Sequence, residues 1–223
     1  MNASATKIII ADDHPLFRSA LCQAIRQSMA NVTLFECDSI KRLEDILVTQ
    51  HDIDLLLLDL HMPGSNGFSG LVLVRREHPE IPVIIVSASE DAPNIQRAID
   101  YGASGFIPKS ADLPTIAKAI ESVLEGNIWL PEKSLDSPTN EAEKAFAEKI
   151  KTLTPQQMKV FMMLTKGLLN KQIASEVDVS EATVRTHMTA IFRKLGVRNR
   201  TQAVLAANYL NIGSIGSVQS TQV

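Results

Sequence analysis

The sequence predicts an α/β doubly wound, five-stranded parallel sheet followed by a smaller all-α domain. Three observations carry that reading. Short runs rich in Ile, Leu and Val alternate with amphipathic stretches through the first 130 residues, the pattern of a parallel sheet covered by helices on both faces. After Trp129 the strand signal disappears and only helical periodicity follows. The charge also changes sign. Residues 1–130 hold 10 Lys+Arg against 17 Asp+Glu, net −7; residues 131–152 hold 4 against 5, net −1; residues 153–223 hold 8 against 3, net +5, so an acidic module precedes a basic one.

Taken in order, the strands fall near Lys7–Ala11, Val32–Cys37, Asp54–Asp59, Pro82–Ser87 and Ser104–Pro108. Their starts lie about 22–28 residues apart, room for one crossover helix each. Those helices fall near Pro15–Ser28, Ser39–Gln50, Phe68–Glu77, Ala92–Tyr101 and Leu113–Glu125, with Gly126 as a stop signal. The first domain therefore covers residues 1–130. Residues 131–152 are polar, include two prolines and read as a linker, whose second half, Asn140–Lys151, can be helical. A helical domain over 153–210 follows, and the Gly/Ser/Gln-rich residues 211–223 read as a disordered tail.

Composition excludes several classes. No run of about 18 apolar residues appears, and MNASATKIII has neither a basic n-region nor a cleavage site, so the reading is a cytoplasmic protein without a membrane partner. Cys22 and Cys37 lie in apolar segments without Cys-x-x-Cys or His spacing, which favours reduced core thiols over a disulfide or a zinc site.

In a doubly wound sheet, working residues gather at the carboxyl ends of the strands. Here strand 1 ends in Asp12-Asp13, strand 3 in Asp59 and strand 4 in Ser87, while Lys109 follows strand 5. Three carboxylates brought together repel unless a hard cation sits among them, and Mg²⁺ takes oxygen ligands. With Mg²⁺ and Lys109 beside it, Asp59 can attack a phosphorus centre, because both positive charges offset the charge on the transferring oxygens. Ser87 can donate its hydroxyl to the phosphoryl group, and Phe106 is placed to repack when Ser87 moves. Each residue also has a structural reading: Asp12 or Asp13 as a cap before Pro15, Asp59 as a loop acid, Ser87 as a cap, Lys109 as a surface charge. Convergence of four strand ends on one chemistry favours the functional reading.

The segments IIIADDHPLFRSAL, LLLLDLHMPGSNG, VIIVSAS and GASGFIPKS resemble the signature segments of CheY-like receiver domains, in order, over residues 7–126. That resemblance implies Asp12 and Asp13 as the acidic pair, Asp59 as the phosphoacceptor, Ser87 as the switch hydroxyl, Phe106 as the switch aromatic and Lys109 as the conserved-type lysine. It also implies that the backbone carbonyl of His61 completes the metal shell. Ser110 stands where many receivers have proline, so a cis-proline is not expected there.

Beyond the linker, Thr154 can cap a helix with Pro155 at its first position and Gln157 closing a capping box; Gly167 ends it, Asn170 or Lys171 starts a second through Glu176, and Ser180 caps a third over Glu181–Leu195. Three short helices with tight connections suit a helix-turn-helix. The third buries Val184, Met188, Ile191 and Leu195 and presents Arg185, Thr186, Thr189 and Arg193 elsewhere, a face that can enter a major groove. Arg185 can read guanine, Thr186 and Thr189 can touch base edges, and Lys171, His187 and Lys194 can bind phosphates. The plainer alternative is a solvated helix in a basic bundle. Residues 153–204 closely resemble the LuxR/NarL-type DNA-binding domain, with Gly167, Asn170, Lys171, Thr183, Val184, His187, Lys194 and Arg200 on its pattern. Gln157 departs from its usual Glu, and Thr189 replaces a basic residue some members use, so base preference is not carried over. The helix over Thr201–Tyr209 would be the dimerisation helix.

Together the resemblances imply a response regulator that is not an enzyme: a histidine kinase as phosphodonor, Mg²⁺ as cofactor, paired promoter half-sites bound by a homodimer, and RNA polymerase as a further contact. An aspartate-nucleophile phosphohydrolase would share the carboxylates and Mg²⁺, but no cap domain is visible and residues 153–210 would have no role.

Overall fold

The computed structural model describes residues 5–131 and 141–210. It divides the chain into two compact units, Met1–Thr139 and Asn140–Val223. The tail expected over 211–223 and most of the first half of the expected linker lie outside the described residues.

The first unit runs β1 (Thr6–Ala11), α1 (Pro15–Ser28), β2 (Val32–Cys37), α2 (Ile40–Thr49), β3 (Leu55–Asp59), α3 (Ser69–Glu77), β4 (Val83–Ser87), α4 (Ala92–Asp100), β5 (Gly105–Pro108) and α5 (Leu113–Leu124). All strands are parallel, in the order β2-β1-β3-β4-β5. The central strands are buried on both faces, which is why β3 and β4 read as unbroken apolar runs rather than as alternation. One face packs Ile8, Ile10, Leu55, Leu57, Ile84, Val86 and Ile107 against Leu21, Cys22 and Ile25 of α1 and Ile116, Ala119, Ile120 and Val123 of α5. By the period-two alternation, Ile85, Ser87 and Phe106 belong to the opposite face. There Phe68 meets Tyr101 with ring centroids 5.6 Å apart. Both cysteines are buried and free; burial raises the Cys22 thiol to about 11 and the Cys37 thiol to about 12, so neither forms thiolate readily.

α5 ends through Gly126, whose φ of +90° belongs to the left-handed region that glycine enters without strain. The chain then returns along the outer edge of β5. Trp129 forms a parallel bridge with Gly105, its N–H donating to the Ser104 carbonyl at 3.1 Å and its carbonyl accepting from the Phe106 N–H at 3.0 Å.

The second unit comprises α6 (Glu141–Lys151), α7 (Pro155–Thr165), α8 (Asn170–Glu176), α9 (Glu181–Leu195) and α10 (Arg200–Ala206), closed by a 3₁₀ turn over Ala207–Leu210. The sequence places 141–151 in the linker; in the structure α6 is part of this unit, burying Phe146, Ala147 and Ile150 and setting Phe146 against Tyr209 at 5.3 Å. Its apolar face has Phe, Ala and Ile at helical spacing, but the charged majority of EAEKAFAEKIK hides it. Thr154 caps α7 through the expected box: the Gln157 N–H donates to Thr154 Oγ1 at 3.2 Å and the Thr154 N–H to Gln157 Oε1 at 3.1 Å. Ser180 likewise caps α9, which ends on Gly196 in the left-handed conformation. Among the described residues no helix is long and apolar enough to cross a membrane.

Candidate acidic centre and nucleic-acid interface

Strand register brings the expected polar residues to one level. Ala11 is level with Leu58, Asp59 with Val86, and Ser87 with Pro108, so β1, β3, β4 and β5 finish together. Residues that follow them therefore enter the same crevice. Asp12 and Asp59 are nearly sealed from solvent, at 1% and 2% exposure. Lys109 reaches between them, with Nζ 2.8 Å from Asp12 Oδ2 and 2.8 Å from Asp59 Oδ2. Burial alone would push the Lys109 ammonium down, but the two carboxylates outweigh it and hold the pKa above the usual lysine value.

One ammonium cannot neutralise three carboxylates. Asp12 Oδ2 and Asp13 Oδ1 are buried atoms without a hydrogen bond among the described residues; the Asp12 oxygen has the ion-pair approach of Lys109 and the Asp13 oxygen that of His14 Nδ1. Asp12, Asp13, His14 and Asp59 can each offer a ligand atom within 4.8 Å of the others. Two buried carboxylates and a third, half-buried one against a single ammonium fit a divalent cation. His14 is the member that sequence reasoning missed: its Nδ1 lies 2.7 Å from Asp13 Oδ1, 3.3 Å from Asp12 Oδ1 and 3.8 Å from Asp59 Oδ2. The signal was its place directly after the acidic pair. Neither aspartate is the N-cap of α1, a position His14 takes without a side-chain cap, while the His14 N–H donates to Asp12 Oδ1 at 2.8 Å.

His61 enters through its backbone: the N–H donates to Asp59 Oδ1 at 3.1 Å, fixing the loop after β3 against the carboxylate. Ser87 is fully buried, and its Oγ accepts from the Ser89 N–H at 3.2 Å. Phe106 is fully buried on the same sheet face as Ser87. No peptide bond among the described residues is cis, and Ser110, in place of proline, donates its hydroxyl to Glu90 Oε2 at 2.9 Å across the mouth of the crevice.

In the second unit, α9 buries Val184, Met188, Ile191 and Leu195 and leaves Arg185, Thr186 and Thr189 exposed, as expected. Arg185 is 71% exposed at its side chain, with only a loose 3.7 Å approach to Glu181. Thr183 is half-buried and shares its hydroxyl with Ser180 at 2.9 Å; Thr186 and Thr189 donate theirs to the Ala182 and Arg185 carbonyls at 3.1 Å. Lys171 is exposed near the start of α8, and His187 is half-buried. Lys194 differs from the rest. It was expected to bind phosphate, but its ammonium donates to the Thr152 carbonyl and to Gln157 Oε1, both at 2.7 Å. These internal acceptors give it a structural role, tying α9 to the start of α7.

Comparison with known proteins agrees with both units. The family profile "Response regulator receiver domain" matches residues 8–121, and "Bacterial regulatory proteins, luxR family" matches 151–207. The chain is 43% identical over 208 residues to the glycerol metabolism activator of Pseudomonas putida, covering 90% of this chain and 94% of that one. With the nitrate/nitrite response regulator NarP of Escherichia coli it shares 33% over 205 residues, covering 91% and 94%. Among solved structures, RcsB of Salmonella typhimurium matches with a TM-score of 0.55 at 23% identity over 91% of this chain and 98% of that one, a likeness of fold. With a receiver match over the unit that holds the acidic strand-end centre, a luxR-family match over the helical unit, and relatives that align along about nine-tenths of its length, the chain belongs to the NarL-type response regulators, non-enzymatic transcriptional regulators that couple a receiver to a LuxR-type DNA-binding domain.

Proposed function

We propose that phosphorylation of Asp59, with Mg²⁺ bound and a histidine kinase as donor, switches this regulator, and that the phosphorylated chain binds paired half-sites as a homodimer. In the transfer, an Asp59 oxygen forms the new P–O bond as the phosphohistidine P–N bond breaks and its electron pair leaves with the imidazole. Mg²⁺, when bound, offsets charge on the phosphoryl oxygens. Asp12, Asp13, Asp59 and the His61 carbonyl would hold it. Lys109 supplies the second positive charge, Ser87 donates its hydroxyl to the arriving group, and Phe106 repacks on the sheet face it shares with Ser87. The observation that carries this reading is Lys109 Nζ at 2.8 Å from both buried carboxylates, in a centre that still lacks positive charge. Intact-mass measurement after treatment with acetyl phosphate is the test. One phosphoryl group should be gained with Mg²⁺ and none in EDTA or in Asp59→Asn; a gain that survives Asp59→Asn contradicts the assignment.

On DNA, α9 would lie in the major groove with Arg185, Thr186 and Thr189 at base edges, Thr183 alongside them at its N-terminal end, and Lys171 and His187 at phosphates. Arg185→Ala should lose about 1–3 kcal/mol of discrimination, whereas Lys171→Ala should weaken all duplexes alike and flatten the salt dependence. Titration of specific and scrambled duplexes at several salt concentrations separates the two. Equal losses on both duplexes for Arg185→Ala would make it a phosphate contact.

A further inference from the structure

The loop between β4 and α4 carries a chain of polar contacts that begins at Ser87 and ends inside α4. Ser87 Oγ accepts from the Ser89 N–H at 3.2 Å. The Ser89 hydroxyl donates to Asp91 Oδ2 at 3.0 Å and accepts from Asn94 Nδ2 at 2.9 Å. That same amide nitrogen donates to Asp91 Oδ2 at 2.8 Å, and Asn94 Oδ1 accepts from Arg97 Nη1 at 3.4 Å. Asn94 and Arg97 are 3% and 2% exposed.

Helix capping accounts for only part of this. Asp91 caps α4 by accepting from the Asn94 backbone N–H at 3.0 Å, a bond that any residue other than proline at position 94 would supply. Burial at this position is served as well by an apolar side chain, which brings no polar group to desolvate. The carboxamide instead directs its donors at Ser89 and Asp91, and so fixes the residue whose N–H holds the Ser87 hydroxyl.

We propose that Asn94 is a positioning residue that holds Ser87 in its unphosphorylated arrangement and so sets how readily the receiver accommodates a phosphoryl group. The inference rests on the roles assigned to Asp59 and Ser87 above. Movement of Ser87 Oγ toward a group on Asp59 competes with the bond it accepts from the Ser89 N–H, and Asn94 Nδ2, together with Asp91 Oδ2, anchors the residue that carries that N–H. Without the amide, Ser89 loosens and the movement costs less.

Beryllofluoride, a stand-in for the phosphoryl group, can be titrated into the full-length chain with Mg²⁺ and its occupancy followed by ¹⁹F NMR. Asn94→Ala should bind about fivefold more tightly than wild type, the ratio expected when one net hydrogen bond is lost from the restraining state. In a Ser87→Ala background the same change should have no effect, because its route is gone. Unchanged or weaker binding by Asn94→Ala, or an equal gain in the Ser87→Ala background, overturns the proposal. If Asn94→Ala lacks a native melting transition, Ser89→Ala decides: it removes the anchored hydroxyl at a half-buried position and must shift affinity in the same direction. A wild-type chain that binds no beryllofluoride, or an Asp59→Asn chain that binds it equally, removes the phosphoacceptor reading along with this one. Normal wild-type binding with an inert Asn94→Ala removes this one alone.

Discussion

At the scale of the residue, Gln157 shows how one side chain serves two structures. It closes the capping box of α7 and accepts the Lys194 ammonium, so a neutral amide does the work the family usually gives to glutamate. Gln157→Glu should raise stability by about 0.5–1 kcal/mol, since a carboxylate in the first turn of a helix and opposite an ammonium gains from both. The gain requires the ionised acid: with its pKa lowered on folding, the carboxylate contributes fully above its ordinary unfolded value and loses the contribution as pH falls through the lowered folded value. Thermal melts at pH 7 and pH 3.5 check both statements, and an equal melting temperature for the two proteins at pH 7 would refute them. The acidic centre was legible as residue types at strand ends. What the sequence could not show is that Lys109 spans Asp12 and Asp59 at equal distances, or that Lys194 is spent internally; both depend on where elements dozens of residues apart come to lie.

Among the elements, the return of the chain past β5 matters most for coupling. Trp129 is bonded on one side of Gly105 to Ser104 and on the other to Phe106, so the start of the inter-domain segment hangs from the strand that carries Phe106, the residue proposed above to repack with Ser87. Close approach requires glycine here: a Cβ on Gly105 would meet the Trp129 carbonyl at 3.1 Å and Trp129 Cβ at 3.3 Å. Gly105→Ala should therefore destabilise the receiver by about 1–3 kcal/mol, the usual cost of overpacking, by prising this segment from the sheet edge. Urea unfolding followed by the fluorescence of Trp129, the one tryptophan in the chain, measures it; an unchanged midpoint would mean that the bridge yields without cost. Sequence periodicity located all ten elements of the receiver to within a residue or two because each is an apolar run or an amphipathic stripe with its own stop signals. It could not register the Trp129 bridge, a single-residue pairing with no pattern of its own.

For the whole molecule, the question is what belongs to the DNA-binding unit and what restrains it. Because α6 buries Phe146, Ala147 and Ile150, a fragment beginning at residue 140 should melt as one cooperative unit, and one beginning at 153 should be less stable by several kcal/mol, having lost a large aromatic and two aliphatic contacts. Calorimetry on the two fragments checks this. The charge split of −7 against +5 also predicts that the unphosphorylated receiver restrains DNA binding, although attraction is largely screened beyond roughly 8 Å at physiological salt, so a specific contact must add to it. Operator titrations should then find the 140–223 fragment at least as tight a binder as the unphosphorylated full chain; a clearly weaker fragment would mean that the receiver assists binding. By itself the sequence determined the two fold classes, the order of elements, the carboxylates and the lysine of the acidic centre and the exposed face of α9, since these follow from local periodicity, capping chemistry and motif spacing. Only the tertiary structure decided that α6 joins the second unit, that His14 stands with the carboxylates, that Lys194 serves the fold and that Asn94 reaches Ser89, because each depends on contacts between side chains whose partners are set by packing and not by neighbours in the chain.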